Sequence, residues 1–599
     1  MSETASPPFD DLRRLTGPNL YFAEPGAVLE TMVGAPVAPA LIDAWKRRIA
    51  RARTALGWPD GPVTVREHAS GASLAFAAPA DGLYAAADVN EWAWLSALVE
   101  AGMDSGEPAL QPGHPSLIDD DAALRLLRTV ASAERLPRLP ALRQAARAHR
   151  LPLLLDDEQL SIGLGSGSSR WDNRALPLPG EVPWPELHPI PLALVTGSNG
   201  KTTSVRLLTA IAIAHGWHTA NSCTDGLYLD GALIEAGDYS GPGGARSLLR
   251  NRQAQAAILE TARGGLLRRG LAVERADVAL VTNISPDHFG EYGIHDLDGL
   301  AEVKLTVARA IDAQGMLVLN ADNALLRRHA TGLDAPLAWF STDDEHPLLR
   351  QARSEGRRSC GVREGHLWLF DGSASHDLGA VADMPLTLGG LATHNLQNCA
   401  GAALTALGLG IAPATIAAVL ARFGRDHRDN PGRLQRWILG GGVQVFVDYA
   451  HNPDGLAQFL SLVRQTRRDG GRLHLLLGQA GDRSDAAIAE LAATAAAFHP
   501  DHVVLKDMDG YLRGRHSGEV AQLLRAGLVR NGLADAAIVQ CLDETEAVRS
   551  ILAAAGPGDS LALPVHGSAA REQVSALLDQ LQARGWSPGD PLAGGDRSP

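Results

Sequence analysis

Residues 194–206 read L-V-T-G-S-N-G-K-T-T-S-V-R, and the organisation of the chain follows from this stretch. The apolar run before it predicts a buried strand, and residues 201–215 predict a helix that stops at Gly216. Gly197 and Gly200 let backbone N–H groups approach a phosphate, and Lys201 can reach its terminal oxygens. Val195 stands where the strict Walker A spacing has a glycine. Because strand, loop and helix occur in the right order, we interpret the stretch as a shortened phosphate loop rather than a chance match.

The gross composition indicates a globular protein. The 599 residues predict about three or four domains. A net charge of −14 without any Lys/Arg-rich run makes nucleic acid an improbable partner. Four scattered cysteines offer neither a zinc site nor a disulfide framework, so we interpret all four as small buried side chains in a reducing compartment. With no signal peptide pattern and no membrane-length apolar run, we expect a soluble cytoplasmic protein that does not bind membranes.

The first part of the chain, residues 1–171, predicts an α+β domain. Residues 41–56 have helical spacing, residues 74–88 read as short alternating strands, and residues 121–150 predict two helices. The glycines of 163–167 precede no apolar helix, so we interpret them as a flexible turn rather than a second phosphate loop. The proline-rich residues 172–189 read as a linker, and residues 586–599 as a disordered tail.

Two α/β domains follow the linker. In residues 190–428 strand-like runs alternate with helices, which predicts a mostly parallel sheet covered on both faces. A smaller doubly wound, Rossmann-like unit is predicted for residues 429–585. Such sheets bind ligands where their strands end in polar residues. Glu260, Asn283 and His288 follow strand ends, and we therefore expect them at the same sheet edge as Lys201.

The residues at this edge suit magnesium-assisted phosphoryl transfer. Mg²⁺ prefers hydroxyl, carboxylate and water ligands, and Thr202 and Glu260 supply the first two. A helix-capping role for Glu260 is the alternative, which its position at a strand end disfavours. His288 is either an ordinary loop histidine or, as a neutral imidazole, a ligand of a second metal.

Six ordered motifs carry a resemblance to the Mur ligases, which join a carboxylate to an amine with ATP. They are T-G-S-N-G-K-T-T (196–203), L-E-T-A-R-G-G (259–265), T-N-I-S-P-D-H (282–288), V-L-N-A-D-N (318–323), H-N-L-Q-N (394–398) and D-Y-A-H-N-P (448–453). Five more resemble the C-terminal half of the cyanophycin synthetases: T-D-G-L-Y-L-D-G (224–231), Y-S-G-P-G-G-A-R (239–246), N-P-G-R-L (430–434), G-D-R-S-D (481–485) and L-R-G-R-H-S-G-E-V (512–520). The resemblance implies a Mur ligase-like central domain with a phosphate loop and a Mur ligase C-terminal domain.

The resemblance also implies roles for individual residues, with ATP and Mg²⁺ as the nucleotide and the metal. The nucleotide-binding set is Gly197, Asn199, Gly200, Lys201, Thr202, Thr203, Asn283, Asn395, Asn398, Arg433 and Asp448. Thr202, Glu260 and His288 are implied metal ligands, and Lys201, His288 and Lys304 are implied catalytic residues. Lys304 corresponds to a lysine that many Mur ligases carbamylate, and the alternative is a solvated helix lysine. Asn395 and Asn398 resemble residues on the adenine side, near Asn320 and Asp322, although helix capping explains these two asparagines equally well. His451 and Arg483 are implied to act in substrate contact and domain closure.

The implied activity is ATP-dependent amide formation through an acyl phosphate, with release of ADP and phosphate. Residues 14–22 and 157–171 resemble the cyanophycin synthetase N-terminal domain and the entry to its ATP-grasp domain, but residues 172–189 leave no room for that domain. We therefore expect one activating centre and a single addition of an amino acid or other amine, with arginine as a guess by analogy. The carboxylate acceptor is then held by the N-terminal domain, and a homo-oligomer suits the relatives. Three alternatives remain: a phosphate-loop ATPase or kinase, an inactive nucleotide-binding scaffold, and a cell-wall or folate-type Mur ligase.

Overall fold

The computed structural model describes residues 8–106, 113–286, 289–508 and 510–592, and the chain divides into two compact units. The first unit holds the described residues up to Ile284, those from 289 to Leu378, and Gln397–Val419. The second unit holds residues 285–286, Gly379–Leu396 and the described residues from Leu420 onwards.

The first unit begins with a four-stranded antiparallel sheet of order β1-β2-β4-β3. Its strands are β1 (Phe9–Leu15), β2 (Gly26–Thr31), β3 (Val63–His68) and β4 (Gly71–Ala77). The helices of this part are α1 (Pro39–Leu56), α2 (Leu83–Glu100), α3 (Asp120–Glu134) and α4 (Leu139–Ala148). Trp45, Trp92 and Trp94 are fully buried in its core.

One secondary-structure prediction in this part is wrong. Short strands were expected throughout residues 74–88, but only β4 is extended and α2 starts at Leu83. Helix α2 is apolar on nearly every face because it is buried between the sheet and its neighbouring helices. A helix without a polar face lacks the 3.6-residue stripe that identifies a surface helix.

A small antiparallel sheet precedes the central one. Its strands are β5 (Leu153–Leu155), β6 (Gln159–Ile162) and β7 (Ser169–Asp172). The glycine turn at 163–167 lies within it, and the backbone N–H of Ser166 donates to Ala254 O at 2.7 Å. Gly165 packs against the same carbonyl, where a Cβ would lie 2.3 Å from the oxygen. The turn is therefore fitted against the chain at Ala254 and has no space for a phosphate there.

The central sheet of the first unit has eleven strands, in the order β11-β10-β9-β12-β8-β13-β14-β15-β16-β17-β18. The run from β9 to β16 is parallel, and the outer strands are antiparallel where the pairing is described. The strands are β8 (Leu192–Thr196), β9 (Thr219–Cys223), β10 (Gly226–Leu229), β11 (Ala232–Ala236), β12 (Ala256–Glu260), β13 (Val278–Val281), β14 (Met316–Asn320), β15 (Leu337–Phe340), β16 (Ser359–Arg363), β17 (His366–Phe370) and β18 (Ser375–Ala380).

Helices connect the parallel strands, as expected for parallel pairing. They are α5 (Lys201–His215), α6 (Pro242–Leu249), α7 (Arg263–Arg269), α8 (Leu297–Leu305), α9 (Ala324–Ala330) and α10 (Pro347–Ser354), followed by α11 (Thr393–Gly408) and α12 (Pro413–Leu420). The central strands β8, β12 and β14 are buried at every residue, which explains their continuous apolar sequences. The α/β class and the mostly parallel central sheet predicted from the sequence are confirmed.

The second unit contains a six-stranded sheet of order β19-β20-β24-β21-β22-β23, parallel except for the β19 edge. Its strands are β19 (Gln435–Ile438), β20 (Gln444–Asp448), β21 (Leu473–Leu477), β22 (His502–Leu505), β23 (Ile538–Gln540) and β24 (Ser560–Pro564). Its connecting helices are α13 (Pro453–Thr466), α14 (Asp485–Ala496), α15 (Glu519–Arg530), α16 (Glu544–Ala554) and α17 (Ser568–Ala583).

The disorder expected from residue 586 does not begin there. Trp586 is buried, its carbonyl accepts from Gly440 N at 2.8 Å, and its indole N–H donates to Asp590 O at 2.9 Å. A buried indole of this size anchors the end of the domain, so the described residues 586–592 are part of the fold. The rest of the expected tail, residues 593–599, lies outside the described residues.

The cysteine prediction holds for three of the four positions. Cys223, Cys360 and Cys399 are buried thiols, whereas Cys541 is partly exposed. Burial raises the pKa of Cys399 to about 12, so this thiol is unreactive at neutral pH. Across the described residues, no helix combines the length and apolar character needed to cross a membrane.

Candidate active site

The phosphate loop connects β8 to α5 and depends on two glycines with positive φ. Gly197 has φ +143° and Gly200 has φ +84°. A Cβ on Gly197 would lie 1.9 Å from Thr282 Oγ1, and one on Gly200 would lie 2.2 Å from Asn398 Oδ1. The loop is therefore closed around its glycines by side chains from two other segments, and only glycine fits at either position.

The peptide of Asn199 is held at both of its polar groups by Asn283. Asn199 N donates to Asn283 Oδ1 at 2.9 Å, and Asn283 Nδ2 donates to Asn199 O at 3.1 Å. The hydroxyl of Thr282 also donates to Asn199 O, at 2.6 Å. Asn283 thus fixes the tip of the loop, and its implied contact with the nucleotide stays a prediction.

Two lysines approach the loop from different helices. Lys201, the first residue of α5, donates from Nζ to Gly197 O and to Ser198 O, both at 3.0 Å. Lys304, near the end of α8, donates from Nζ to Gly197 O at 2.9 Å. Only 1% of Lys304 is exposed, so the alternative of a solvated helix lysine is wrong.

A carboxylate lies beside the first turn of α5. Glu260, at the end of β12, is 2% exposed. Its Oε2 accepts from Thr202 Oγ1 at 2.9 Å, and its Oε1 accepts from Thr224 Oγ1 at 2.9 Å. Thr203 follows in the same turn and is buried. Because Glu260 accepts from a phosphate-loop hydroxyl instead of capping a helix, the metal interpretation is favoured over the capping one.

Only part of the predicted set of metal ligands lies among the described residues. His288 lies outside the described residues, so its predicted role stays a prediction. Within the described ranges, no group of three or more His, Cys, Asp and Glu side chains is arranged to hold a metal ion. Of the three predicted metal ligands, the structure describes two, the Thr202 hydroxyl and the Glu260 carboxylate.

The residues predicted for the adenine side lie in different surroundings. Asn398 lies against Gly200 of the phosphate loop. Asn395 belongs to the second unit, where its Nδ2 donates to Leu386 O at 3.0 Å. Asn320 donates from Nδ2 to Thr282 O at 2.9 Å and supports the strand end that carries the loop contacts.

Asp322 binds the segments around it. Its carboxylate accepts from Ser341 Oγ at 2.5 Å, from Gln397 Nε2 at 2.8 Å, and from the N–H and hydroxyl of Thr342 at 3.0 Å each. Burial opposes its ionisation, but these donors outweigh burial and lower the pKa of Asp322. Asp322 therefore serves as an ionised anchor for neighbouring segments.

In the second unit, the N-P-G-R-L and D-Y-A-H-N-P motifs meet. Arg433 stacks over the ring of Tyr449 with 4.2 Å from Cζ to the ring centroid. Asp448 accepts from Leu434 N at 2.7 Å and from Ala450 N at 2.8 Å. Burial raises the pKa of Asp448 and the charge of Arg433 opposes the rise. Arg433 and Asp448, two of the predicted nucleotide ligands of this unit, thus lie close enough for their charges to interact.

The two residues predicted for substrate contact are fixed through their backbones. His451 O accepts from Gln479 Nε2 at 3.0 Å, and the His451 ring lies 5.2 Å from that of Tyr449. Arg483 O accepts from Arg515 NH2 at 2.9 Å. Arg515 belongs to the L-R-G-R-H-S-G-E-V motif, so that motif supports the G-D-R-S-D loop.

A buried polar cluster next to Tyr449 escaped the sequence analysis. Lys506 is fully buried, and its Nζ donates to the Glu544 carboxylate and to His566 Nδ1, the latter at 2.7 Å. The ring of His566 lies 5.3 Å from that of Tyr449, and its Nε2 lies 3.4 Å from Ala450 O. Burial, followed by the charge of Lys506, holds the pKa of His566 well below 6.5. Lys506 and His566 follow the ends of β22 and β24, and this was the available signal.

The T-D-G-L-Y-L-D-G motif also contributes more than was predicted. Thr224 binds Glu260, and the adjacent Asp225 accepts from Arg206 of α5 at 2.7 Å. The motif therefore connects the phosphate-loop helix to the candidate metal ligand. No role was assigned to Thr224 from the sequence because a threonine next to a turn is too common a pattern to single out.

Comparisons with known proteins agree with this geometry. The Mur ligase middle domain matches residues 195–406, and the Mur ligase glutamate ligase domain matches residues 432–563. Cyanophycin synthetase of Geminocystis herdmanii is 34% identical over 369 residues, which are 61% of this chain and 41% of that protein. Cyanophycin synthetase of a Nostoc species is 35% identical over 396 residues, which are 66% of this chain and 43% of that protein. The chain thus spans about two fifths of the length of these relatives.

A shorter relative is matched over most of its length. The UDP-N-acetylmuramoyl-L-alanyl-D-glutamate–2,6-diaminopimelate ligase of Xanthomonas campestris pv. campestris is 31% identical over 404 residues, which are 64% of this chain and 73% of that enzyme. The two domain matches include the phosphate loop, Glu260, Lys304 and the motif around Asp448. The chain therefore belongs to the Mur ligase family.

Proposed function

We propose that the chain is an ATP-dependent ligase that joins a carboxylate substrate to an amino acid or other amine and releases ADP and phosphate. The observation that carries the proposal is the meeting of Lys201 and Lys304 at Gly197 O, in the loop that leads to the Thr202 and Glu260 pair. Cationic groups and hard oxygen donors together suit a reaction that moves a phosphoryl group.

The residues at the loop fit ATP and Mg²⁺. Gly197 and Gly200 have positive φ and admit no Cβ, so the loop takes the tight glycine-dependent turn between a strand and a helix N-terminus that phosphate loops use. Thr202 Oγ1 and Glu260 would hold Mg²⁺, with His288 as the proposed ligand of a second ion. Bound metal supplies neutralisation of charge on the phosphates.

The protein side chains then have distinct tasks. Lys201 turns from the carbonyls it now binds toward the phosphates, and Lys304 offers a second cation or, as a carbamate, an anion that orients metal. A substrate carboxylate oxygen attacks the γ-phosphorus and ADP leaves. The amine then attacks the acyl carbon of the acyl phosphate, phosphate leaves, and the amine loses a proton. Asn283 keeps the loop in the geometry that both steps need.

We assign the second unit to the remaining substrate contacts. Arg433 and Asp448 are proposed to bind the nucleotide, with Asn395 on its base side. Asn398, which belongs to the first unit, is proposed for the base side as well. His451 and Arg483 are proposed substrate residues. The buried Lys506, Glu544 and His566 cluster supports the loop that carries Tyr449 and His451, because His566 contacts both Tyr449 and Ala450.

One activating centre is proposed, and therefore a single type of addition. Residues 173–191 are all that lie between β7 and β8, and the described turns there are single 3₁₀ turns. Residues 1–171 are proposed to hold the carboxylate acceptor. Arginine as the amine is a proposal by analogy with the relatives.

The alternatives explain less of the structure. A simple ATPase or kinase has no use for a second unit whose motifs surround Tyr449, and an inactive scaffold has no reason to bury Lys304 against the phosphate loop. A cell-wall or folate-type ligase keeps the same chemistry, and the longer motif set shared with the cyanophycin synthetases disfavours it.

The test is phosphate release with ATP and Mg²⁺ across a matrix of amino acids and small carboxylic or dipeptide acceptors. Release that requires both an acceptor and an amine, with a product mass equal to their condensation, supports the ligase. Release that is indifferent to the amine favours the ATPase and contradicts the proposal. Lys201→Ala is expected to abolish turnover, whereas Lys46→Ala, an exposed lysine on α1, provides the matched control.

A further inference from the structure

A cleft in the first unit is lined by residues that have no individual role in the proposed ligase chemistry. They come from β1 and the turn after it, α2 and the turn before it, α3, α4, β5 and the turn after it, α6 and the segment after α7. The cleft encloses about 60 Å³, which is room for about four or five water molecules or one small polar group. Its charged lining residues are Arg14, Arg143, Arg246, Glu134, Asp156, Asp157 and Glu274.

The four carboxylates at the cleft are all engaged elsewhere. Asp156 pairs with Arg250 of the neighbouring loop, and Asp157 pairs with Arg14 at 3.2 Å. Both oxygens of Glu134 accept backbone N–H groups from the first turn of α2, at 3.0 Å each. Glu274 lies 3.8 Å from Arg147 on the outer surface. None of them pairs, among the described residues, with the two arginines that remain.

Neither of those two arginines forms an ion pair among the described residues, although the charges of Asp156 and Asp157 act on Arg246 and that of Glu274 acts on Arg143. Arg246 is 7% exposed and donates only to neutral acceptors, namely Ala272 O at 3.1 Å and the carbonyl and hydroxyl of Thr16 at 3.2 and 2.9 Å. Burial, followed by the charge of Arg250, lowers the pKa of Arg246 to about 10. Arg143, on α4, has a buried Nε with no hydrogen-bond partner in the described structure. A buried guanidinium without a carboxylate is costly unless an anion binds it.

We propose that this cleft is an anion subsite in which Arg143 and Arg246 bind a carboxylate group of the acceptor. The inference rests on the proposed ligase function for the identity of the anion. The planar fork of an arginine matches a carboxylate in two parallel hydrogen bonds. Because the four carboxylates are engaged with other groups, the unpartnered Nε of Arg143 is left to a ligand.

Binding is tested on the full chain without nucleotide, by ligand-observed NMR titration with N-acetylglycine, N-acetylglycine amide and inorganic phosphate. N-acetylglycine is expected to bind saturably and its uncharged amide is not. Arg143→Gln breaks no described hydrogen bond and is expected to weaken N-acetylglycine at least tenfold. Arg125→Gln changes an exposed arginine on α3 that does not line the cleft, and should leave the affinity within twofold. Arg246→Lys keeps the charge but loses the fork, and is expected to weaken binding as well.

Several results would overturn the assignment. They are no saturable binding of N-acetylglycine, binding of phosphate but not of N-acetylglycine, and equal losses in Arg143→Gln and Arg125→Gln. In ligation assays, Arg143→Gln should raise the KM of the acceptor more than it lowers kcat, and an unchanged KM rejects the subsite while the ligase stands. Binding of N-acetylglycine by a wild-type chain that ligates nothing rejects the proposed function instead.

Discussion

Lys201 and Lys304 donate hydrogen bonds to one acceptor, the carbonyl oxygen of Gly197, at 3.0 and 2.9 Å. Their nitrogens therefore lie within about 6 Å of each other, a separation at which like charges disfavour each other. A carbamate on Lys304 would convert this repulsion into attraction. The shared carbonyl also means that a change at either lysine alters the support of the same loop residue.

Replacing Lys304 by alanine is expected to lower kcat by about 10²- to 10³-fold, because it removes a preorganised charge beside the phosphates. Phosphate release with both substrates present measures the effect, with Lys46→Ala as control. If Lys304 is carbamylated, buffer stripped of CO₂ should lower turnover and added bicarbonate should restore it. If bicarbonate has no effect on turnover, the proposed carbamylation of Lys304 is contradicted. If Lys304→Ala has full activity, the proposed catalytic role of Lys304 is contradicted.

Replacing Thr224 by valine keeps the shape but removes the donor to Glu260 Oε1. Replacing a hydrogen-bond partner of a metal ligand typically lowers metal affinity by about 10- to 100-fold. We therefore expect the Mg²⁺ concentration for half-maximal turnover to rise by about tenfold in Thr224→Val. Thr224→Ser should behave like the wild type, as should Thr331→Val, whose hydroxyl is on the surface. An unchanged Mg²⁺ dependence of Thr224→Val would show that Glu260 needs no such support.

Gly200→Ala is expected to destroy nucleotide binding through two effects. A non-glycine residue in the left-handed region costs about 1–2 kcal/mol, and the new Cβ meets Asn398 Oδ1. Gly216, at the other end of α5, also has positive φ but has open space around its Cβ position. Gly216→Ala should therefore lose comparable stability and keep ATP affinity, measured by calorimetry. Adding Asn398→Ala to Gly200→Ala should restore only part of the ATP affinity. Equal ATP affinities of Gly200→Ala and Gly216→Ala would contradict the proposal that the loop around Gly200 binds the phosphates.

The stability of the second unit is expected to fall in mild acid. The pKa of His566 is held well below 6.5 in the folded chain by burial and by Lys506, so the unfolded chain binds the proton first as pH falls. The contribution is complete above pH 6.5 and is lost progressively below it. His566→Gln should flatten the fall of the unfolding temperature between pH 7.5 and 5.5, while exposed His516→Gln should not. Equal slopes in the wild type and His566→Gln would contradict this.

The fold was predictable where one sequence signal decides the structure. The helix that opens at Lys201 and the strand that ends at Glu260 have the predicted bounds, because a glycine boundary and a continuous apolar run are local signals. Helix α2 was missed because its burial on all sides removed the periodicity. Trp586 was placed in the tail because its neighbours are turn residues, whereas its burial depends on the distant Gly440.

At the candidate site, the sequence indicated that Lys201 and Glu260 would lie at one edge of the sheet, but it did not indicate the contacts around them. Glu260 and Lys201 follow from strand-end logic and loop spacing. Two features depend on how distant segments meet in three dimensions. They are the pair of hydrogen bonds between Asn283 and Asn199, and the hydrogen bond that the Thr224 hydroxyl donates to Glu260. The cluster at Lys506 depends in the same way on three separate strand and helix ends.

The chain contains only four lysines, and three of them are Lys201, Lys304 and Lys506. Everywhere else except at Lys46, basic positions carry arginine, whose guanidinium does not react with acylating or reductive-alkylating reagents as a primary amine does. An amine-directed label should therefore modify Lys46 and the free N-terminus first. Slow labelling beyond those positions then reports directly on the exposure of Lys201, Lys304 and Lys506, without a tag or a cysteine having to be introduced.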